Sequence, residues 1–250
     1  MLSSEERKRY NRQLIMPEIG EAGQKKLRSA RIVIAGLGGL GSISAYYMAA
    51  AGIGFIRIID SDSVEMENLN RQIIHRTADI SKPKTESAME KLQALNPHCL
   101  IEPVRQKINE EDAQDLIEDC SLILDATDNI KTRKVVNRAS VLKGIPFIYG
   151  GINGFNGMVT TFIPGETPCI ECIFPHISEQ QNKIGVIGPI PGLVASIQSL
   201  EAIKLILGMD GLLKRRLLYI QGAGMRFKEI QVEKNPDCNV CGPESDQRNE

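Results

Sequence analysis

The chain has 250 residues, a formal net charge of −1 and 42% hydrophobic residues. This length and apolar content allow one large α/β domain with a sizeable core. A charge balance so close to neutral argues against general binding to nucleic acid or to a membrane surface. Neither end carries an apolar signal segment, and the longest apolar runs are shorter than a membrane span and are broken by charge or glycine. We therefore expect a cytoplasmic protein.

Residues 1–30 predict a helical arm, in which Ser3 and Glu6 have the spacing of a capping box. From residue 31 to about residue 150, buried strands and helices alternate, which predicts a parallel sheet covered on both faces. The predicted strands are RIVIAG, FIRIID, LIEPVRQ, SLILDAT and PFIYGG, and the predicted helices are 40–51, SKPKTESAMEKLQALNP, 110–118 and NIKTRKVVNRASVLKG.

The second part of the chain has a different pattern. GMVTTFIP, RLLYIQG and RFKEIQV alternate like antiparallel strands, and GLVASIQSLEAIKLILG predicts a long amphipathic helix. PHISEQQNKIGVIGPIPG is rich in turn formers and predicts a mobile loop that crosses a site. We predict an α/β, Rossmann-like doubly wound sheet in one domain, residues 1–250, parallel in its N-terminal half, with antiparallel strands added in its C-terminal half and a disordered tail from residue 243.

Four glycines, Gly36, Gly38, Gly39 and Gly41, follow the first predicted strand. Glycine lets a turn approach phosphate oxygens closely, and the next helix offers free N–H groups to an anion. Asp60 closes the following strand, where a carboxylate can accept ribose hydroxyls. A turn that serves packing alone is the simpler alternative. The glycines do not decide between NAD and ATP.

Two cations, Arg71 and Lys84, follow the Asp60 strand and are expected above the same edge of the sheet. Together they suit a triphosphate, although each alone also fits a solvated surface. Asp125 ends a later strand, and Asp128 and Asn129 open a helix. A carboxylate there could hold Mg²⁺, and Asp128 or Asn129 could equally cap the helix. The sequence leaves both interpretations open.

Four of the six cysteines form two C-x-x-C pairs, Cys169 with Cys172 and Cys238 with Cys241. Two such pairs match a tetrahedral zinc site, while a redox pair is the competing interpretation. A site with four thiolates is closed, so the zinc is expected to be structural. Cys99 and Cys120 are expected to be core thiols, and the three histidines have no His or Asp partner at metal or triad spacing.

The motifs RYNRQ, GLGGLG, IIDSDSVEMENLNRQ, KPK and DATDN and the two C-x-x-C pairs occur in this order. The set closely resembles the MoeB/ThiF/HesA family, the small bacterial relatives of ubiquitin-activating enzymes, over about residues 9–242. Dehydrogenases that bind NAD lack the later motifs. The resemblance implies ATP-dependent adenylation of the C-terminal glycine of a ubiquitin-like sulfur-carrier protein ending in Gly-Gly, with release of pyrophosphate.

The resemblance also implies residue roles. The attacking carboxylate is already ionised, so the site needs cations and no general base. A homodimer is implied, in which the partner subunit supplies Arg12. Residues 31–150 would form the nucleotide-binding half, and residues 151–242 the carrier-binding half with its structural zinc. The implied nucleotide-site residues are Gly36, Gly38, Gly39 and Gly41 in the loop, Asp60 and Asp62 near the ribose, Asn68, Arg71 and Lys84 at the phosphates, and Asp128 with Asn129 at Mg²⁺.

One position departs from the family pattern. Many relatives carry a cysteine in the crossover loop, where this chain has about Gln181, and no cysteine occurs between Cys172 and Cys238. We therefore expect no covalent enzyme thioester, with sulfur delivered by another protein such as a sulfurtransferase or cysteine desulfurase. Alternatives are adenylation of a peptide or tRNA-modification carboxylate, a non-catalytic scaffold that binds a ubiquitin-like tail, or an NAD-dependent oxidoreductase.

Overall fold

A computed structural model describes residues 1–175 and 185–242. Gln181 and the tail from residue 243, on which two expectations rest, lie outside the described residues. The strands of the described residues are β1 (Arg31–Ala35), β2 (Phe55–Ile59), β3 (Leu100–Val104), β4 (Leu122–Asp125), β5 (Phe147–Asn153), β6 (Asn156–Phe162), β7 (Arg216–Gln221) and β8 (Arg226–Gln231). Their α-helices are α1 (Ser4–Arg9), α2 (Asn11–Leu14), α3 (Gly20–Ser29), α4 (Gly39–Ala51), α5 (Lys84–Leu95), α6 (Ala113–Ile117), α7 (Ile130–Lys143), α8 (Ile170–Ile173) and α9 (Pro189–Leu207).

The strands form one mixed sheet in the order β3-β2-β1-β4-β5-β6-β7-β8. Neighbours from β3 to β5 are parallel, and neighbours from β5 to β8 are antiparallel. This confirms the predicted fold class. The order reverses between β1 and β4, and open α/β sheets bind ligands outside the carboxyl ends of strands at such a switch point. We call the C-terminal ends of β1, β2 and β4 the carboxyl edge.

Two apolar cores cover the two faces of the sheet. Helices α3, α4, α5 and α9 lie over one face, and α6, α7 and α8 lie over the other. Alternate residues of a strand enter different cores, since Leu124 and Ile148 belong to the first and Ile123 and Phe147 to the second. The parallel strands β1, β2 and β4 are thus buried on both sides, as their continuous apolar sequences predict, whereas the outer strand β3 is partly exposed.

The predicted amphipathic character of α9 is wrong. Its polar side chains Gln198, Ser199 and Glu201 are buried, whereas Leu200 is 56% exposed. These polar groups form hydrogen bonds inside the fold. Gln198 Nε2, for example, donates to the carbonyls of Asp125 and Ile148 at 2.8 and 3.0 Å. Helix α9 is also long and apolar enough to cross a membrane by length and composition, but it packs on α4, β5 and β6 within the described fold.

Local signals set most element boundaries. The capping box at Ser3 and Glu6 forms as predicted, with hydrogen bonds of 2.7 and 3.1 Å. Gly144 ends α7 with a φ of +67°, a conformation that favours glycine. The charged helix predicted over residues 110–118 is shorter and becomes α6, and α9 begins three residues before its predicted start.

Candidate functional site at the carboxyl edge

The glycines of the turn between β1 and α4 differ in whether close packing requires the absence of a side chain. Gly36 has a φ of +99°, and a Cβ there would lie 2.5 Å from the Ala126 carbonyl oxygen. A Cβ on Gly41 would lie 2.0 Å from the Gly36 carbonyl oxygen. These two glycines are therefore required by packing, whereas a Cβ on Gly38 would meet only Gln72, at 3.8 Å. Gly38 and Gly39 hold the backbone that opens α4, where N–H groups face the carboxyl edge.

Asp60 is fixed by the backbone on both sides of its carboxylate. Its Oδ2 accepts from Leu37 N at 2.7 Å and its Oδ1 accepts from Asp62 N at 2.8 Å. Burial raises the pKa of Asp60, and the nearby charge of Lys84 opposes the increase. Each carboxylate oxygen keeps a second lone pair. The acid is thus oriented at the end of β2 with acceptor capacity to spare.

Lys84 opens α5 beside this acid. Its ammonium is 3.0 Å from Asp62 Oδ2, and only 6% of the residue is exposed. Burial would raise the pKa of Asp62, but the hydrogen bond and charge of Lys84 outweigh burial and lower it. Lys84 N also donates to the Asp62 carbonyl at 2.9 Å. The pair therefore anchors a buried cation next to Asp60.

Asn68 and Arg71 come from the segment between β2 and α5. Asn68 is buried and its Oδ1 accepts from Glu65 N at 3.2 Å. Arg71 donates from Nη1 to the Glu67 carbonyl and to Asn70 Oδ1, and its Cγ lies 3.7 Å from the position a Cβ on Gly39 would take. The fold thus brings Arg71 against the glycine-rich turn, as expected.

Asp125, the last residue of β4, and Asp128, in the turn that follows, differ in burial and in hydrogen-bond partners. Asp125 is fully buried, with Oδ1 bonded to Thr127 and Oδ2 lying 2.7 Å from Arg133 Nε. Asn129 caps α7 by accepting from Thr132 N at 2.8 Å. Asp128 stays exposed and accepts from Asn129 Nδ2 at 3.2 Å. The capping alternative therefore applies to Asn129, and Asp128 is an exposed carboxylate at this edge that a metal could reach.

Arg12 does not join this group within one chain. The neighbouring Gln13 donates to the Ala51 carbonyl at the C-terminal end of α4, whereas the glycine-rich turn lies at its N-terminal end. About 18 Å of helix, at 1.5 Å per residue, separates the two ends. Tyr10 accepts from Asn96, which follows the C-terminal end of α5. The arm therefore lies at the opposite edge of the sheet, with Arg12 exposed on it.

The four cysteines meet in one cluster, although Cys169 and Cys238, like Cys172 and Cys241, are 69 positions apart in the sequence. All four Sγ atoms lie within 4.8 Å of one another, with contacts of 3.7 Å for Cys169–Cys238 and 3.4 Å for Cys172–Cys241. A Zn–S bond of about 2.3 Å implies about 3.8 Å between thiolates of a tetrahedron. The donor set and its spacing fit zinc. The cluster ties α8 to the segment that follows β8.

A groove of about 450 Å³ opens beside this edge, lined by Asn70, Gly154, Phe155 and residues 185–188. Gly154 and Val186 pair as a parallel β-bridge, and Gly154 N donates to the Gly185 carbonyl at 2.8 Å. Asn70 Oδ1 accepts from Arg71, and Arg71 lies against the glycine-rich turn. Residues 185–188 belong to the segment PHISEQQNKIGVIGPIPG, which the sequence predicts to cross a site, and residues 176–184 of that segment lie outside the described residues.

Arg133 is a feature that the motifs did not reveal. Besides its ion pair with Asp125, its Nη2 donates to the carbonyls of Thr127 and Gly150 at 2.7 and 2.9 Å, and its guanidinium lies 4.8 Å from the Tyr149 ring centroid. It therefore fixes the turn that carries Asp128. Sequence could have suggested it, because a buried acid that ends a strand needs a cationic partner.

Both the sequence and the fold match known proteins. A profile of the ThiF family matches residues 10–240. The SAMP-activating enzyme E1 of Haloferax volcanii is 39% identical over 239 residues, which cover 94% of this chain and 88% of the relative. The sulfur carrier protein adenylyltransferase of Thermus thermophilus is 38% identical over 256 residues, covering 98% and 94%. A structure of E. coli MccB with MccA-N7isoASN superposes with a TM-score of 0.86 at 25% identity, covering 96% of this chain and 75% of MccB.

Proposed function

The chain belongs to the ThiF family, and on that premise we propose that it adenylates the C-terminal carboxylate of a ubiquitin-like sulfur-carrier protein at the expense of ATP. One observation carries the proposal: the glycine-rich turn, Asp60, Lys84 and Arg71 converge at the carboxyl edge, with Asp128 on the adjoining turn after β4. An acid for the ribose, two cations for phosphates and an exposed carboxylate for a metal form a triphosphate site.

The chemistry matches this set of groups. A carboxylate oxygen of the carrier attacks the α-phosphorus of ATP, a new O–P bond forms, and the bond to the pyrophosphate oxygen breaks. The nucleophile is already ionised, so no side chain has to remove a proton. The barrier arises from bringing an anion to a polyanion, and Arg71 and Lys84 reduce that charge. Mg²⁺, held by Asp128 when bound, would neutralise phosphate oxygens.

Arg12 would complete the site from a second subunit. The arm lies about 18 Å of helix away from the turn in its own chain, so the distance favours contribution in trans. Helices α4 and α9 pack together and both leave large apolar side chains at the surface, with Tyr47 52% and Leu200 56% exposed. An apolar helix face of this kind suits a homodimer interface.

Mixing variants tests this arrangement. Arg12→Ala and Asp128→Asn should each be inactive as homodimers, while the mixed dimer should regain activity because one of its two sites is intact. A control mixture of Arg12→Ala with Arg12→Ala,Asp128→Asn should stay inactive, since every site then lacks Arg12. Failure of the first mixture to recover, with subunit exchange verified by mass spectrometry, would contradict contribution in trans.

The carrier would be bound at two places. Its extended C-terminal tail would lie in the groove lined by Asn70, Gly154, Phe155 and residues 185–188. Its folded part would dock on the outer strand β8, where Phe227 is 51% and Ile230 39% exposed. We expect Phe227→Asp to raise the KM for the carrier at least tenfold and leave the KM for ATP unchanged.

Zinc at the four cysteines would be structural, because a Cys₄ site leaves no open coordination position. With no cysteine between Cys172 and Cys238, the chain has no thiol in the crossover loop to form a thioester. The product would therefore remain an acyl-adenylate until a sulfurtransferase or cysteine desulfurase delivers sulfur. A dithiothreitol-sensitive adduct between carrier and a crossover-loop residue would contradict this.

ATP–pyrophosphate exchange tests the proposed function. Exchange should require Mg²⁺ and a carrier ending in Gly-Gly, and a carrier truncated by its final two glycines is the matched control. No exchange, combined with binding of NADH, would favour the oxidoreductase alternative. Exchange with a short peptide but not with any Gly-Gly carrier would favour the peptide-activating alternative.

A further inference from the structure

The C-terminal end of α4 is held by three amide side chains, Gln13, Gln24 and Asn96, which we call the amide cluster. Gln24 and Asn96 are fully buried, and Gln13 is half-buried. Nε2 of Gln13 and Nε2 of Gln24 donate to the Ala51 carbonyl at 3.0 and 2.9 Å. Asn96 Nδ2 donates to the Ala49 carbonyl at 2.6 Å. Because the last carbonyls of a helix lack partners inside the helix, the amide cluster caps α4. The proposed chemistry uses none of its three side chains.

The orientation of each amide is fixed, because a backbone carbonyl can only accept a hydrogen bond. The NH₂ groups of Gln13 and Gln24 must therefore both face the carbonyl that they share. This leaves Gln24 Oε1 to accept the second hydrogen of the Gln13 amide at 2.7 Å. Asn96 likewise turns its NH₂ group to α4 and donates its other hydrogen to the Tyr10 hydroxyl at 2.8 Å. Gln13 and Asn96 thus each bind α4 with one hydrogen and a second side chain with the other.

These hydrogen bonds anchor the arm on both sides of Arg12. Tyr10 lies two positions before Arg12 and is 3% exposed, and Gln13 follows Arg12 directly. Tyr10 packs closely at the end of α4, since a Cβ on Gly52 would lie 2.7 Å from its Cζ. Arg12 itself is exposed, and within residues 1–175 and 185–242 its side chain has no hydrogen bond or ion pair. The backbone at Arg12 is therefore fixed, while its guanidinium stays available to a neighbouring molecule.

The amide cluster could affect the proposed site by two routes. One route runs through α4 to the glycine-rich turn of the same chain, and the other runs through the arm to Arg12. The first route is long, because α4 has 13 residues, with Ala45 and Met48 fully buried along it. The influence of groups at a helix end falls off within the last turn. The second route covers one residue, from Gln13 to Arg12, and is therefore the more direct one.

We propose that the amide cluster positions Arg12 for the triphosphate site of a partner subunit. Gln13, oriented by Gln24, fixes the arm after Arg12. Asn96 fixes the arm before Arg12 through the Tyr10 hydroxyl. The contribution of Arg12 in trans rests on the proposed function, whereas the anchoring of the arm does not. Gln13 and Asn96 are positioning residues that touch no reacting atom, so their loss should impair the site of the subunit that receives Arg12.

The anchoring is tested on the nucleotide-free protein by amide hydrogen exchange. Gln13→Met keeps an unbranched side chain of similar length and removes both donors. We expect the backbone amides of residues 13–16 to exchange about tenfold faster in this variant. Arg7→Met is the matched control, because it removes only the exposed ion pair of Arg7 with Glu21 on the same arm and should leave these amides unchanged. Unchanged exchange in Gln13→Met would overturn the proposal whether or not the protein binds ATP.

The route is tested with heterodimers isolated through two different affinity tags. When Gln13→Met is in one chain and Asp128→Asn in the other, the single site with an intact Asp128 receives Arg12 from the unaltered arm. We expect ATP–pyrophosphate exchange per intact site to equal that of the unaltered protein, although the Gln13→Met homodimer is about tenfold slower. If the cluster acts through α4 of its own chain, the heterodimer will be as slow as that homodimer. That result, or a homodimer of unaltered rate, would overturn the proposal.

Two further heterodimers complete the test. An unaltered chain paired with Gln13→Met,Asp128→Asn keeps one site, which receives Arg12 from the altered arm, so exchange per intact site should fall about tenfold. An unaltered rate there would overturn the proposal. Arg12→Ala paired with Asp128→Asn tests the premise, because no exchange in that heterodimer means that the proposed contribution in trans fails. Exchange there, together with a slow Gln13→Met heterodimer, refutes this inference alone. Should Gln13→Met not fold, Tyr10→Phe removes the hydroxyl that Asn96 binds and must show the same pattern with a smaller loss.

Discussion

The carboxyl edge and the cysteine cluster differ in how much of their bonding capacity the chain itself uses. At the edge, Asp60 keeps lone pairs to spare and Asp128 remains exposed, although backbone and side-chain bonds orient the acids. At the cluster, the four thiols face one another at distances that suit one tetrahedral metal. The difference indicates an open site for ligands that come and go and a closed site that holds two chain segments together.

The two regions also join different stretches of sequence. The contacts of Leu37 with Asp60 and of Asp62 with Lys84 link residues 23 and 22 positions apart, within consecutive strand–helix units. The thiol contacts link residues 69 positions apart. Substitutions at the edge should therefore change activity with little effect on folding, and substitutions at the cluster should do the reverse.

The sharpest test of the edge is Asp128→Asn. We expect ATP–pyrophosphate exchange to fall by about 10³-fold or more, because a metal-holding carboxylate supplies several kcal/mol of charge stabilisation. The unfolding midpoint should not change, since Asp128 is exposed and Asn129 provides the helix cap. Asp115→Asn, another exposed acid, is the matched control and should retain full exchange. Full activity in Asp128→Asn would refute the magnesium assignment.

Arg133→Ala is expected to be an exception to this division, because Arg133 lies at the carboxyl edge and yet stabilises the fold. Removing it leaves Asp125 buried without its cation, and we expect a loss of about 3–5 kcal/mol in the free energy of unfolding. Burial already raises the pKa of Asp125. A protonated Asp125 tolerates burial, so the loss should be smallest at acid pH and grow as the pH rises.

Urea unfolding across a pH series measures that loss. Lys143→Ala is the control, because Lys143 pairs with Glu118 on the surface and should contribute at most about 1 kcal/mol. A pH-independent loss in Arg133→Ala as small as that of the control would contradict the account of Asp125.

The cluster is tested by Cys172→Ser and by chelation. We expect bound zinc to fall below one per chain and the free energy of unfolding to fall by about 2.7 kcal/mol when free zinc is a hundredfold above its Kd. Exchange per folded molecule should be nearly unchanged. Cys120→Ser, a buried thiol outside the cluster, should keep its zinc. Zinc-free protein with unchanged stability would contradict a structural role.

The smallest expected effect is that of Asn129→Ala, which removes a helix cap and should cost about 1 kcal/mol. Asn129→Asp should retain stability, because aspartate caps helices equally well. Should Asn129→Asp keep its stability but lose ATP affinity, Asn129 also lies near the phosphates. Equal destabilisation by Ala and Asp would contradict the capping role.

Sequence reasoning placed residues correctly in the fold where a short-range pattern determines their position. The turn glycines, Asp60 and the opening of α7 follow strand–turn–helix signals that are local, and C-x-x-C spacing is diagnostic by itself. It failed where packing decides. The polar residues of α9 face inward because Gln198 and Glu201 satisfy groups on other elements, which no periodicity shows. The role of Asp125 depends on Arg133, which lies eight positions further along the chain, on α7.

Intact mass spectrometry of the carrier tests the central claim most directly. After incubation with the protein, ATP and Mg²⁺, without a sulfur donor, we expect the C-terminal peptide of the Gly-Gly carrier to gain the mass of one adenylyl group, which is AMP less one water. Pyrophosphate should appear in equal amount, and the protein itself should carry no adduct. An unmodified carrier under conditions where ATP binds, or a carrier joined to the protein through a thiol-sensitive bond, would contradict the account.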